Sequence, residues 1–237
     1  MSLISEIFDR MDEWRHLPNY QLERRADLLF SLYIPEALEA KFGFPVRPDL
    51  VPEFPVRIGT IYPNISTNKS FKVDYLAISQ TGDKAIFVEL KTEGRSRRSE
   101  QDEYLFAARD VGLSALLEGL LDIFRATSAK RKYFCLLDQL ERLGLLDIPE
   151  AMREIMKQPG LRGVNDASDG IEITCQVNHS VVVYIQPKGH GDNIISFEDF
   201  RSVVGKYDDL LSRRFAQSLA EWGCVTAGER ELSGSGR

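Results

Sequence analysis

The chain has 237 residues, 43% of them hydrophobic and 28% charged, enough to bury a full core without disulfide or metal staples and too balanced for a disordered or fibrous protein. With 30 basic against 36 acidic residues the net charge is −6 and the pI is near 5.3, so nothing draws the chain generally to nucleic acid or anionic membrane. A polyanion would have to be held by a local patch. The apolar run from Leu113 to Leu121 is broken by Glu118 and is too short to span a membrane, and the first ten residues lack the features of a secretion signal. A cytoplasmic location without membrane contact is the expectation. Cys135, Cys175 and Cys224 are an odd, widely spaced set, which predicts reduced, structural thiols.

Taken in chain order, Leu22, Ala26, Leu29, Tyr33 and Ala37 recur at helical spacing. They predict one long or Pro35-interrupted helical segment from Tyr20 to Phe42, stopped at Gly43. The following stretch, with Pro45, Pro48, Pro52, Pro55 and Pro63, reads as extended backbone around a short strand at Val56 to Ile61. Phe71 to Ser79 and Lys84 to Lys91 are two strands of a hairpin, joined by the turn chemistry of Gln80-Thr81-Gly82-Asp83. Helices are expected from Ser99 to about Leu145, with Ser99 as an N-cap and breaks near Gly112 and Thr127-Ser128. Another short helix follows from Ile148 to Lys157, then a loop from Gly160 to Gly170. Strands are predicted at Ile171 to Val177 and Ser180 to Gln186, and helices at Phe197 to Val204 and Tyr207 to Trp222. The order describes an α/β protein with a mixed central sheet flanked by helices.

The hairpin carries the chemical signal. Asp74 sits inside the apolar strand Phe71-Lys72-Val73-Asp74-Tyr75-Leu76, and Val88-Glu89-Leu90-Lys91 places a carboxylate and an amine two apart, on one face of the next strand. Whether the loop is Thr81-Gly82 or Gln80 to Asp83, Asp74 then stands opposite Glu89. Facing carboxylates destabilise a sheet unless something positive lies between them, and either Lys91 or a divalent cation held by oxygen ligands would serve.

Asp74 followed at hairpin distance by Glu89-Leu90-Lys91 resembles the signature of the PD-(D/E)XK nuclease superfamily, with Val73 where the named motif has Pro. The resemblance covers about residues 20–186 and implies a restriction-endonuclease-like αβββαβ core. The chain reads as a single domain over 1–226 with a helical addition at 197–226, and Ser233-Gly234-Ser235-Gly236 marks 227–237 as a flexible tail. The resemblance further implies Mg²⁺- or Mn²⁺-dependent hydrolysis of phosphodiesters, DNA ahead of RNA. Asp74, Glu89 and the Leu90 carbonyl would hold the metal, and Lys91 would position water, stabilise developing charge or act as a base. Ser99-Glu100-Gln101-Asp102-Glu103-Tyr104 offers the Gln and Tyr that such nucleases place after the motif, here three apart rather than four. Gln101 would orient the lysine or contact nucleic acid, with Tyr104 beside it. A glutamate from the first helix is expected too: Glu23 is preferred, and Glu36 is the other candidate. Folds of this kind often form homodimers.

Lys91-Thr92-Glu93-Gly94-Arg95-Ser96-Arg97-Arg98 carries four basic residues against one acidic, so Arg95, Arg97 and Arg98 are candidate phosphate contacts beside the motif. Arg125, Lys130, Arg131 and Lys132 form a second basic cluster, which reads better as solvated loop charge. There is no phosphate-loop, nucleophile-elbow or zinc-helix motif, and His16, His179 and His190 are isolated. Two alternatives stay open beside the nuclease. One is a catalytically inactive nuclease-like domain that binds nucleic acid or a protein partner, and the other is an unrelated α/β interaction domain.

Overall fold

A computed structural model of the chain describes residues 2–93 and 99–224. Those residues form an α/β protein of eleven helices and five strands. In chain order they are α1 (Leu3–Trp14), α2 (Leu22–Ser31), α3 (Ile34–Phe42), β1 (Val51–Arg57), α4 (Ile58–Ile61), β2 (Ser70–Ile78), β3 (Lys84–Leu90) and α5 (Ser99–Val111). There follow α6 (Leu113–Ala126), α7 (Lys130–Arg142), α8 (Glu150–Lys157), α9 (Val164–Ser168), β4 (His179–Gln186), β5 (Ile194–Ser196), α10 (Phe197–Val204) and α11 (Leu210–Trp222). The strands make one mixed sheet in the order β1-β2-β3-β4-β5. The first three are antiparallel neighbours, and β5 runs parallel to β4. None of the described helices is long and apolar enough to cross a membrane.

The chain divides into two compact units, one drawn from Met1–Phe44, Leu90–Arg97 and Val183–Arg237 and the other from Pro45–Glu89 and Arg98–Val182. In the first, Phe30 of α2 is fully buried among aromatic rings, with centroids 5.5 Å from Phe197, 5.0 Å from Phe200 and 5.1 Å from Phe215. Pro35 falls in the first turn of α3, where its missing N–H is harmless, and Gly43 ends that helix at φ 72°. The expected long helix is therefore two. Ser196 and Asp199 form a reciprocal capping box on α10, so the chain passes directly from β5 into the helix. Helix α1 lies in a region where no element was expected, and it packs on α11 through Phe8, whose ring stacks 6.1 Å from Phe215.

The second unit is the β1-β2-β3 meander with α4 to α9. Its first strand occupies Val51–Arg57, not Val56 to Ile61, and the residues after Arg57 turn into α4. The reason is position in the sheet: β1 is an edge strand, where Pro52 and Pro55 can be accommodated without breaking interior ladder bonds. Ile171 to Val177 is not a strand. Glu172 makes an isolated bridge with Asp147, and Thr174 N–H donates to the Leu145 carbonyl at 3.1 Å, so these backbone groups are satisfied locally and no strand is extended. The loop expected from Gly160 to Gly170 contains α9, and Ser99 is the first residue of α5. The tail reading at 227–237 falls outside the described residues.

Candidate active site

The β2–β3 hairpin is set by its turn. Ser79 N–H donates to the Lys84 carbonyl at 3.0 Å, leaving Gln80 to Asp83 as a four-residue loop, and Gly82 takes φ 80°, a value that favours glycine. The Asp83 carboxylate accepts hydrogen bonds from the hydroxyls of Thr81 and Ser79. These bonds, Thr81's first, hold its pKa down to about 2. Beyond the turn, Ile78 faces Ala85, Ala77 faces Ile86, Leu76 faces Phe87 and Tyr75 faces Val88. Continued by one residue, that register would set Asp74 against Glu89.

The end of β3 departs from the usual distribution of charge. Glu89 is 1% exposed and Lys91 6% exposed, and among the described residues they are the only buried charged side chains. Asp74 is half-buried. Ionised groups rarely lose their water in this way unless other groups replace it. Leu90, whose carbonyl belongs to the expected metal set, closes β3 and is buried. Lys91 N–H continues the ladder, donating to the Ile185 carbonyl at 2.8 Å.

Helix α5 supplies the next partner. Gln101, in its first turn, donates its side-chain amide to Glu89 Oε1, which orients the carboxylate. One turn on, Tyr104 donates its hydroxyl to Glu100 at 3.3 Å, and desolvation, reinforced by that carboxylate, raises its pKa. Its ring stacks on Phe71, with centroids 5.4 Å apart and planes 20° from parallel, while Tyr62 meets it edge-on at 5.9 Å. Tyr62 and Phe71 carry no spacing signal in the sequence, since only the docking of α5 brings them to Tyr104.

The remaining candidates have their own surroundings. Glu23 is half-buried in the first turn of α2. Glu36 accepts from Lys206 Nζ and the Tyr207 hydroxyl, each at 2.7 Å, and the lysine bond in particular holds its carboxyl below the ordinary range. It ties α3 to the segment between α10 and α11. Arg95, Arg97 and Arg98 lie outside the described residues. Most of the second basic cluster is structural. Lys130 binds the Arg125 carbonyl and Asn165 Oδ1 at 2.7 Å each, Arg131 reaches the Met156 and Gln158 carbonyls, and Arg125 pairs with Asp169.

Among the described residues no group of three or more histidine, cysteine, aspartate or glutamate side chains is gathered in the manner of a metal cage. The candidate donor set is two carboxylates on paired strands and a backbone carbonyl. That hard, all-oxygen chemistry suits Mg²⁺ or Mn²⁺, which keep several waters, and does not suit zinc, which favours nitrogen and sulfur. Comparison of the chain with protein-family models, with curated proteins and with solved structures found no match.

Proposed function

We propose that the chain is a metal-dependent nuclease of the PD-(D/E)XK, restriction-endonuclease-like type, hydrolysing phosphodiester bonds, DNA in preference to RNA. The observation that carries this reading is burial: the two charged side chains withdrawn from solvent among the described residues are the Glu and the Lys of Glu89-Leu90-Lys91. An exposed Glu-X-Lys merely solvates a strand. A buried one, with Asp74 on the paired strand of the hairpin, is an arrangement that stability alone does not favour, because desolvating charges is expensive relative to apolar packing. Support also comes from the sheet, whose antiparallel β1-β2-β3 meander is followed in order by β4, as an αβββαβ core requires.

Asp74 Oδ, Glu89 Oε and the Leu90 carbonyl would hold Mg²⁺ or Mn²⁺. When bound, the cation supplies Lewis-acid stabilisation of the charge that develops on the phosphate. Gln101 keeps the Glu89 carboxylate in one orientation. Lys91, two residues beyond Glu89, places the attacking water in line with the phosphorus and stabilises charge on a non-bridging oxygen. The water forms the new P–O bond as the bond to the leaving oxygen breaks, and the proton that the water loses is balanced by the one that the leaving oxygen takes up from solvent.

The test compares cleavage of single-stranded, duplex and branched DNA and of RNA in Mg²⁺, Mn²⁺ or EDTA. Wild type, Asp74→Ala and Lys91→Ala are run side by side. The expected result is cleavage abolished by EDTA and reduced ~100-fold or more by either substitution, the scale on which loss of one electrostatic stabiliser acts. Activity that survives both substitutions overturns the proposal.

A further inference from the structure

We infer that Tyr62, Phe71 and Tyr104 form a stacking platform for an unpaired nucleobase, so that the ligand class of the Asp74–Glu89 site is single-stranded nucleic acid. The inference rests on the nuclease reading for its catalytic consequence but has its own observations. The Phe71 and Tyr104 rings lie nearly parallel, and Tyr62 closes the group edge-on. All three are half-buried, unlike the fully buried rings around Phe30. Three aromatics that serve only as a core seam would gain more by being sealed. Left partly open, they present aromatic surface of the kind on which bases stack without regard to sequence.

Helix α5 fixes the distance between this platform and the acid pair. Gln101 bonds Glu89 and Tyr104 stacks on Phe71, and the two residues are three positions apart, about 4.5 Å of helix rise. On β2, Phe71 precedes Asp74 by three residues, about 10 Å of extended chain. Phe71 and Asp74 fall on opposite faces of the pleat, and α5 meets Phe71 through Tyr104 and Glu89 through Gln101. A base on the platform therefore places a neighbouring phosphate towards the carboxylates. The charge pattern gives the strand a direction. Lys69 and Lys72 are exposed on either side of Phe71, whereas Glu100 and Glu103 are exposed on α5, so the phosphates follow β2 and avoid the helix. A duplex hides its base faces in the stack and cannot use such a platform without first being opened.

Binding of the wild-type chain in EDTA to a short oligothymidylate and to an abasic strand of equal length tests the inference. The expected result is a preference of about tenfold or more for the strand that has bases, within the range for one stacked base, and loss of that preference in Phe71→Leu and Tyr104→Leu. Ultraviolet crosslinking of the wild type to a strand containing 5-iododeoxyuridine gives a readout independent of variant folding, with adducts expected on Tyr62, Phe71 or Tyr104. Equal affinity for the two strands, or adducts confined to other residues, overturns the platform. If Mg²⁺-dependent cleavage is nonetheless observed, the nuclease reading stands without it. Base-dependent binding with adducts on these rings, in a chain that cleaves nothing, supports the platform and removes the nuclease reading.

Discussion

Gln101 holds Glu89 through a side-chain amide bond that joins the first turn of α5 to the buried end of β3. A carboxylate so buried has few ways to be oriented, and an amide donor fixes it without adding charge. Gln101→Leu removes the donor while keeping the volume, and the expected outcome is a rate of phosphodiester cleavage lower by about tenfold, the loss of one charge-assisted hydrogen bond. The same variant should need more Mg²⁺ to reach half-maximal rate, which a merely structural role for Gln101 would not produce. Gln101→Glu, which sets a second carboxylate against Glu89, should shift that metal requirement further. Titrating cleavage rate against Mg²⁺ in the three proteins checks all of this.

The turn that sets the register has a pH signature. The Asp83 pKa is depressed from 3.8 to about 2, chiefly by the Thr81 hydroxyl and then by Ser79. A carboxyl whose folded pKa lies below its unfolded one stabilises the fold above the unfolded value and loses that contribution as pH falls through the folded one. The expected melting-temperature difference between wild type and Asp83→Ala is thus constant from neutral pH down to about pH 4 and shrinks between there and pH 2. Thermal melts across that range test the sign. A difference that grows on acidification would mean that the bonds from Thr81 and Ser79 do not hold the loop.

This hairpin was legible in the sequence because every local rule agreed: apolar strands, a loop with glycine and aspartate, and a length that allowed one pairing of Asp74 with Glu89. Other elements were hidden for identifiable reasons. The prolines of β1 look like breakers until the strand is known to be at the edge. Only two residues of α1, Phe8 and Met11, are buried, too few to stand out as a periodic stripe, and β5 has only three residues. At the site, Gln101 could be picked out by its position after the motif, but its bond to Glu89 depends on how α5 docks. The meeting of Tyr62 and Phe71 with Tyr104 likewise comes from tertiary packing. The bonds of Glu36 to Lys206 and Tyr207 were likewise hidden, because those partners are far away in the chain.

Gly119 in the middle of α6 sets two effects against each other. Helix propensity alone says that Gly119→Ala should stabilise by about 1 kcal/mol. A Cβ at this position would, however, overlap the Thr60 hydroxyl and press on the Arg57 stem, in the close approach of α4 to α6. Overpacking of this kind costs roughly 1–3 kcal/mol and should win, so the alanine variant is expected to be less stable. Thr60→Ala removes the overlapping hydroxyl, so the double variant should recover most of the loss. Urea unfolding of the two single variants and the double one measures the coupling directly.

The tie between α1 and α11 makes the strongest demand on a single side chain. Asp12 accepts from Trp222 Nε1 at 2.8 Å and from Ser218 Oγ at 2.9 Å, and its Oδ2 lies 3.6 Å from Arg214 Nη2, which also meets Asp9 at 2.6 Å. Trp222 is fully buried, and the side chains of Arg214 and Asp12 are only 14% and 15% exposed. Removing the carboxylate strands an indole N–H, a hydroxyl and part of a guanidinium charge together. Asp12→Ala should therefore destabilise the chain by roughly 3 kcal/mol, more than an exposed ion pair could explain. Asp12→Asn keeps an acceptor for Trp222 but lacks the charge facing Arg214, so it should fall between wild type and the alanine variant. Chemical denaturation followed by Trp222 fluorescence in a Trp14→Phe background reports on this site alone among the two tryptophans. Equal stability of Asp12→Ala and wild type would show that α1 is held by the Phe8–Phe215 stack and not by this carboxylate.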